Sequence, residues 1–259
     1  MIWLFALLTL VVLVVIVLAA LPLQIPREPD REGWQDAEAS LAYDKTSRWL
    51  IFAIERRIIL KRLSRFQLKG RLLDIGCGPG YLAAGISRSF PNLRVTGLDI
   101  SPDMVSIARG NWGALVVGDL DFIQADAAAL PFPDNSVDFV VSSLSLHHWN
   151  DPVAVLREIH RVLVRGGSML VFDPRRDSPR VVMWLFAIGQ ALFAPQAIRI
   201  TNGAVGSLWA SYTAAELKEM LSAASFEKMK VHSGLAWVIG EVTKPDQDDV
   251  RSVSESRPT

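Results

Sequence analysis

Apolar residues along the chain fall into runs of three kinds, and each kind predicts a different element. Residues 2–23 carry no charge and are rich in Leu, Val and Ile, which meets the roughly 20 residues needed to cross a hydrocarbon core. They predict a transmembrane helix. A cleaved signal peptide would need a basic leader and an apolar core of about 7–15 residues, and this segment has neither. Short apolar runs bounded by turn residues come next, at 72–75, 93–98, 121–124, 137–143 and 168–172, and again near 226–232 and 235–242. These read as buried strands. Between them lie stretches of helical periodicity: 81–90, a helix opened by Ser101-Pro102, 153–164, and a helix to about residue 224 opened by Thr213 and Glu216 at capping-box spacing. Over 45–66, apolar Trp49, Phe52, Ile59 and Leu63 interleave with Arg56, Arg57, Lys61 and Arg62, predicting one more helix packed on the domain. Strands alternating with helices define a doubly wound α/β sheet, whose ligand crevice lies at the carboxyl ends of its strands.

Charge and composition divide the chain further. The 259 residues hold 27 basic and 27 acidic side chains, a balance that argues against nucleic acid as a partner. One cysteine, Cys77, excludes an internal disulfide, and the four histidines lack zinc-site spacing, so no metal is expected. No Lys or Arg precedes the apolar run, whereas Arg27, Arg31, Lys45 and Arg48 follow it. The positive-inside rule then gives a single-pass membrane protein with its domain facing the cytoplasm. The expected organisation is an anchor at 1–24, a Pro-rich linker at 25–40, one domain at 41–243 and a polar, disordered tail at 244–259. An insertion at 175–212 contains VVMWLFAIGQALFAP. It is too short for a second span and reads as a lid helix, an interfacial helix or plain core.

Candidate chemistry gathers at the predicted strand ends. In LLDIGCGPGYLA an apolar strand runs into Asp74 and the alternating glycines Gly76, Gly78 and Gly80. Such a loop lets backbone approach a ligand, and the following helix aims free N–H groups at it. The dinucleotide pattern G-x-G-x-x-G does not fit, because Tyr81 stands where its third glycine belongs, so a nicotinamide oxidoreductase is disfavoured. Asp74 is poorly placed beside a pyrophosphate and well placed beside a cationic or amine-bearing ligand. Asp99 ends the second strand, where an acid accepts from both ribose hydroxyls. Met104, in the helix after it, falls where an adenine could pack, or in ordinary core. Asp126 could accept from an adenine amino group while the Ala127 N–H donates to the ring, or close a turn. With Ser143 at the end of the fourth strand, four hits share one edge. His147 and His148 follow on the next loop as candidate bases, or as residues that orient the loop.

DIGCGPG, LDIS, QADAAALPFPDNSVDFVVSS and REIHRVLVRGGSMLVFDP, in this order, resemble the methyltransferase-11-type domain of class I S-adenosylmethionine-dependent methyltransferases, akin to ubiquinone/menaquinone-biosynthesis enzymes. The resemblance covers about residues 71–174. It implies a Rossmann-like sheet of seven strands with the last antiparallel, here preceded by the transmembrane helix. It assigns Gly76, Gly78 and Gly80 to the methionine part of the cofactor, Asp99 with neighbouring Ile100 to the ribose side, Asp126 and Ala127 to adenine, and Ser143 to the methionyl portion. Tyr43 in AYDKTSRW resembles the family's Tyr-Asp segment that closes over the cofactor. The expected protein is a membrane-anchored methyltransferase acting on a small, lipophilic acceptor; a non-catalytic S-adenosylmethionine-binding regulator is the alternative.

Overall fold

The computed structural model describes residues 9, 13, 17, 19–22, 25–28, 37–113, 118–200 and 203–246. Among them the strands are β1 (Arg71–Ile75), β2 (Arg94–Asp99), β3 (Asp119–Gln124), β4 (Val137–Ser143), β5 (Leu163–Pro174), β6 (Lys228–Ser233) and β7 (Trp237–Thr243). They form one sheet in the order β3-β2-β1-β4-β5-β7-β6. β7 runs antiparallel to both neighbours, and the pairs from β3 across to β5 are parallel. The reversal between β1 leading to β2 and β1 neighbouring β4 opens the crevice in which such sheets bind ligands.

The helices are α1 (Ala37–Ser47), α2 (Leu50–Leu63), α3 (Tyr81–Ser89), α4 (Pro102–Trp112), α5 (Pro152–Val162), α6 (Arg180–Phe193), α7 (Gln196–Ile200), α8 (Gly203–Ala210) and α9 (Ala214–Ala223). Both sheet faces are covered, which is why the central strands read as unbroken apolar runs. On one face Leu73, Ile75 and Val140 pack with Leu156 and Ile159 of α5 and Leu217 and Leu221 of α9. On the other, Leu72, Val95 and Val141 pack with Ile59 and Leu63 of α2, Ile86 of α3 and Val105 of α4. Local chemistry sets the helix starts. Ser101 Oγ accepts from Met104 N at 3.3 Å, Asp151 Oδ1 from Ala154 N at 2.9 Å, and Thr213 and Glu216 close a reciprocal capping box.

Three local expectations change. The helix expected over 45–66 is two helices, parted at Trp49, whose backbone is extended. The Ser47 carbonyl at the break accepts from Arg56 Nη1 at 2.8 Å instead of from a following turn. β5 begins at Leu163, ahead of the strand expected at 168–172, and continues through Arg165-Gly166-Gly167. Gly166 has φ +75°, and the β4–β5 register shifts between Val137 and Phe139 to absorb it. The insertion folds as α6, α7 and α8.

The predicted transmembrane helix is the main correction. No helix among the described residues is long and apolar enough to cross a membrane. The longest described helices, α2 and α6, have 14 residues, about 21 Å at 1.5 Å per residue against ~30 Å of hydrocarbon. The end of the apolar run is moreover held to the domain: Arg180 N donates to Leu21 O at 3.1 Å, and Pro22 forms a bridge with Pro179. Arg176 Nε then donates to Ile25 O at 2.9 Å, and Arg27 Nε to Ala210 O at 2.6 Å. Much of 2–23, residues 29–36 of the expected linker and the tail beyond Asp246 lie outside the described residues, and 37–40, expected as linker, open α1.

Candidate active site

The glycine elbow is built by two strand ends reaching for each other. Gly76 N and Cys77 N, just past β1, both donate to Leu98 O of β2, at 2.9 and 3.0 Å. The loop then turns with Gly76, Gly78 and Gly80 all at positive φ, where a Cβ would strain the backbone. Asp99 holds the outer side of this turn. Its Oδ2 accepts from Gly78 N at 2.9 Å and its Oδ1 from Ser101 N at 3.0 Å, so one carboxylate ties the elbow to the start of α4.

A cleft of about 320 Å³ opens above these strand ends. It gathers Tyr43, Asp74, Gly76, Gly78, Asp99, Ile100, Met104, Asp126, Ala127, Ser143 and His148 around one space. Two expected site residues are not on its wall. Gly80 sits behind it, where an added Cβ would lie 2.7 Å from Phe122 Cζ and 2.9 Å from Trp112 Cδ1. His147 is 2% exposed, and its Nδ1 lies 3.0 Å from both Asp173 carboxylate oxygens. The candidate base that faces the cleft is therefore His148, its ring centroid 4.0 Å from that of His147. Asp126 Oδ1 closes a turn by accepting from Ala128 N at 2.8 Å, and the residue lines the cleft. Met104 is 3% exposed and is likewise both core and cleft wall.

Helices α1 and α2 cover the elbow. Asp44 is the tie, accepting from Tyr81 Oη at 3.1 Å, Asn111 Nδ2 at 2.9 Å and Arg48 Nη2 at 2.8 Å. This pins α1 to α3 and α4 and sets Tyr43 beside Gly78, whose Cβ would lie 3.5 Å from Tyr43 Cε1.

The charge of the cleft is its most informative property. Burial pushes the Asp74 carboxyl up to about 8, with Glu55 and Asp99 adding to the effect. Removal from water pushes Glu55 up to about 7, against the hydrogen bond donated by Ser143 Oγ and the charge of Arg56. Asp99 is raised by burial too. Asp74 Oδ2 has no hydrogen-bond partner, although it is buried. Buried carboxylates facing one space are costly until a cation or a donor arrives. A ligand with a positive centre, amine hydrogens and ribose hydroxyls supplies both, and S-adenosylmethionine has that donor set.

Glu55 is the functional candidate that sequence reading missed. It comes from α2, expected only to pack, and meets Ser143 across the cleft wall. The available signal was that Glu55 is the one acid among the five charged residues of LIFAIERRIILKRL. Phe52 and Arg56 of the same helix also line the cleft.

A crossed-over parallel sheet, a glycine elbow and an acid at the end of the second strand define a nucleoside-cofactor-binding α/β protein. Residues 73–171 match the family model described as a methyltransferase domain. A demethylmenaquinone methyltransferase of Chlorobaculum tepidum is 30% identical over 157 residues, 58% of this chain and 62% of that protein. The ubiquinone/menaquinone biosynthesis C-methyltransferase UbiE of Pseudomonas putida is 30% identical over 200 residues, 74% of this chain and 75% of that one. Phosphoethanolamine N-methyltransferase 2 of Haemonchus contortus, solved with S-adenosyl-L-methionine, shares the fold at TM-score 0.62 and 17% identity, over 83% of this chain and 59% of that chain. The chain belongs to the family of S-adenosylmethionine-dependent methyltransferases. It spans about three fifths of the length of the Chlorobaculum relative.

Proposed function

We propose that the protein transfers a methyl group from S-adenosylmethionine to a small hydrophobic acceptor of the quinone-precursor type. The observation that carries this reading is the set of buried carboxylates at the glycine elbow, with Asp74 Oδ2 unpartnered beside Asp99. When bound there, S-adenosylmethionine supplies a methyl carbon already activated by its sulfonium. Asp99 accepts from the ribose hydroxyls, beside Ile100. Asp126 and the Ala127 N–H read the adenine edge, with Met104 against the ring. Gly76 and Gly78 present backbone to the methionine part, and Asp74 and Glu55 face its positive charge. Ser143 orients Glu55, and Tyr43 closes over the elbow. Alignment of acceptor and methyl carbon is the main task left to the protein, and positioning of this kind supplies about 7–11 kcal/mol of a barrier. His148 stands in the cleft to take a proton where the acceptor must lose one. The acceptor class rests on the named activities of the two relatives and on the apolar insertion, α6 to α8, beside the cleft turn. Incubating the protein with labelled S-adenosylmethionine and demethylmenaquinone reduced to its quinol tests it. Label should enter the quinol ring, whose carbon gains the methyl group and loses a proton; binding of the cofactor with no transfer to any reduced quinone precursor would refute this acceptor class.

The raised carboxyls give a pH signature. Burial raises Glu55 to about 7 and Asp74 to about 8. A cationic ligand favours their ionised forms, so binding releases protons, and affinity should strengthen as pH rises through about 7 and about 8. For folding the sign is opposite. A carboxyl raised above its unfolded value binds more protons folded than unfolded, so its contribution is fully present below about pH 3.9 for Asp74 and about pH 4.3 for Glu55, and is lost as pH rises through its folded value. Glu55→Gln should remove its own part of both effects and lower the Asp74 carboxyl toward its ordinary value, because the Glu55 charge helps to raise it. Calorimetry at pH 7 in buffers of different ionisation heat measures the protons released; none released by the wild type would contradict this placement of charge.

A further inference from the structure

We propose that the outer face of α6 is a docking surface for an anionic lipid bilayer, lying in its plane without crossing it. This goes beyond the methyl-transfer reading and does not depend on it. Val181, Trp184, Leu185, Ile188 and Leu192 are spaced three, four, seven and eleven residues from the first, and so form one stripe along the helix. Trp184 is 50% exposed, Leu185 65%, Ile188 56% and Leu192 68%, with Phe193 at 70% at the helix end. The opposite side is satisfied, with Val182 buried and α6 packed on α8.

Three observations select a lipid surface as the occupant. From Pro179 to Tyr212 the sequence has no acid; its only charges are Arg180 and Arg199, both exposed. An apolar stripe with basic ends and a tryptophan matches the headgroup boundary of an anionic bilayer. A second copy seated on the same patch would bring these arginines toward their own kind, with no acid there to answer them. Finally, the patch is continuous with the charge-free run at 2–23. Leu21 O and Pro22 join the start of α6 through Arg180 N and Pro179, and Leu13, Val17 and Leu21, four residues apart, are 54%, 57% and 43% exposed.

The docking face is linked to the cleft. α6 packs on α8, and α8 packs on the turn Leu146–His148 that carries His148 into the cleft. A bilayer under α6 would lie near the carboxyl edge of the sheet, where an acceptor drawn from lipid has a short path.

Cys77 is 7% exposed, so an added surface cysteine can be labelled selectively. The full chain with Ile188→Cys carrying a polarity-sensitive dye should shift to the blue on vesicles containing phosphatidylglycerol, and less on phosphatidylcholine alone. A label at Lys230→Cys, on edge strand β6, should not shift. Adding Leu185→Glu with Leu192→Glu should lower vesicle binding about tenfold or more, because charges on the contact face oppose its burial, while the exposed sites keep the melting temperature near that of the parent. Any other pattern overturns the proposal. Vesicle binding without a shift at residue 188 would place the contact elsewhere, on 2–23 above all. A blue emission in buffer that fades on dilution would mean a second copy covers α6. One that persists on dilution would mean the chain's own segment does. No binding at all would leave no lipid surface.

Discussion

Asp99→Ala should lower the affinity for S-adenosylmethionine about a hundredfold, or about 2.7 kcal/mol, without unfolding the protein. Two losses add. The ribose hydroxyls lose a charged acceptor, and hydrogen bonds to charged groups are worth about 1.5–3 kcal/mol each. The elbow also loses its tie, since Asp99 holds Gly78 N at 2.9 Å and Ser101 N at 3.0 Å. Gly78 lines the cleft, where water can replace the lost acceptor, whereas Ser101 is 5% exposed and off its wall, so its unpaired N–H costs about 1–3 kcal/mol of stability. Removing a carboxylate that burial already disfavours in its charged form offsets part of it. Asp99→Asn keeps the shape and one acceptor oxygen, and should cost about tenfold. Calorimetric titration beside thermal melting separates the two quantities. Equal affinity in the wild type and Asp99→Ala would remove Asp99 from the cofactor site.

Gly80→Ala should destabilise the fold by about 3 kcal/mol. Its φ of +81° costs an L-residue about 1–2 kcal/mol, and overpacking typically adds about 1–3 kcal/mol. The new Cβ would sit 2.7 Å from Phe122 Cζ and 2.9 Å from Trp112 Cδ1, and neither ring is free to yield. Phe122 also packs closely on Gly97, whose own Cβ would meet Phe122 Cδ1 at 2.7 Å, and Trp112 is fixed by the bond from its Nε1 to Pro79 O at 3.0 Å. Gly110, within α4, has nothing within 4 Å of its Cβ position, so Gly110→Ala should stabilise by roughly 0.5–1 kcal/mol. Urea unfolding of the pair should move the midpoints in opposite directions. A Gly80→Ala midpoint equal to the wild type would mean the elbow is not packed as described.

These two residues also show what sequence can and cannot carry. The elbow, the acid after β2 and the strand edges are local patterns: β4 was expected at 137–143 and forms as Val137–Ser143. Gly80 was taken for a ligand contact because its spacing is part of the motif. Its packing against Phe122 and Trp112 depends on distant residues and could not be read. Glu55 was lost for the same reason, since its neighbours in sequence are a helix while its partner, Ser143, is 88 positions away. The break before α2 depends on Arg56 reaching the Ser47 carbonyl, which periodicity does not encode. The apolar run at 2–23 satisfied every hydropathy criterion for a span. Hydropathy is blind to the contacts that bring Leu21, Pro22 and Ile25 onto Pro179, Arg180 and Arg176.

The central claim is that the elbow and its carboxylates hold S-adenosylmethionine rather than a dinucleotide. Calorimetric titration of the full chain with S-adenosylmethionine and, separately, with NADH tests it most directly. Saturable one-to-one binding of the first, with net proton release at pH 7, and no binding of the second is the predicted result. A folded protein that binds NADH, or neither ligand, would contradict it.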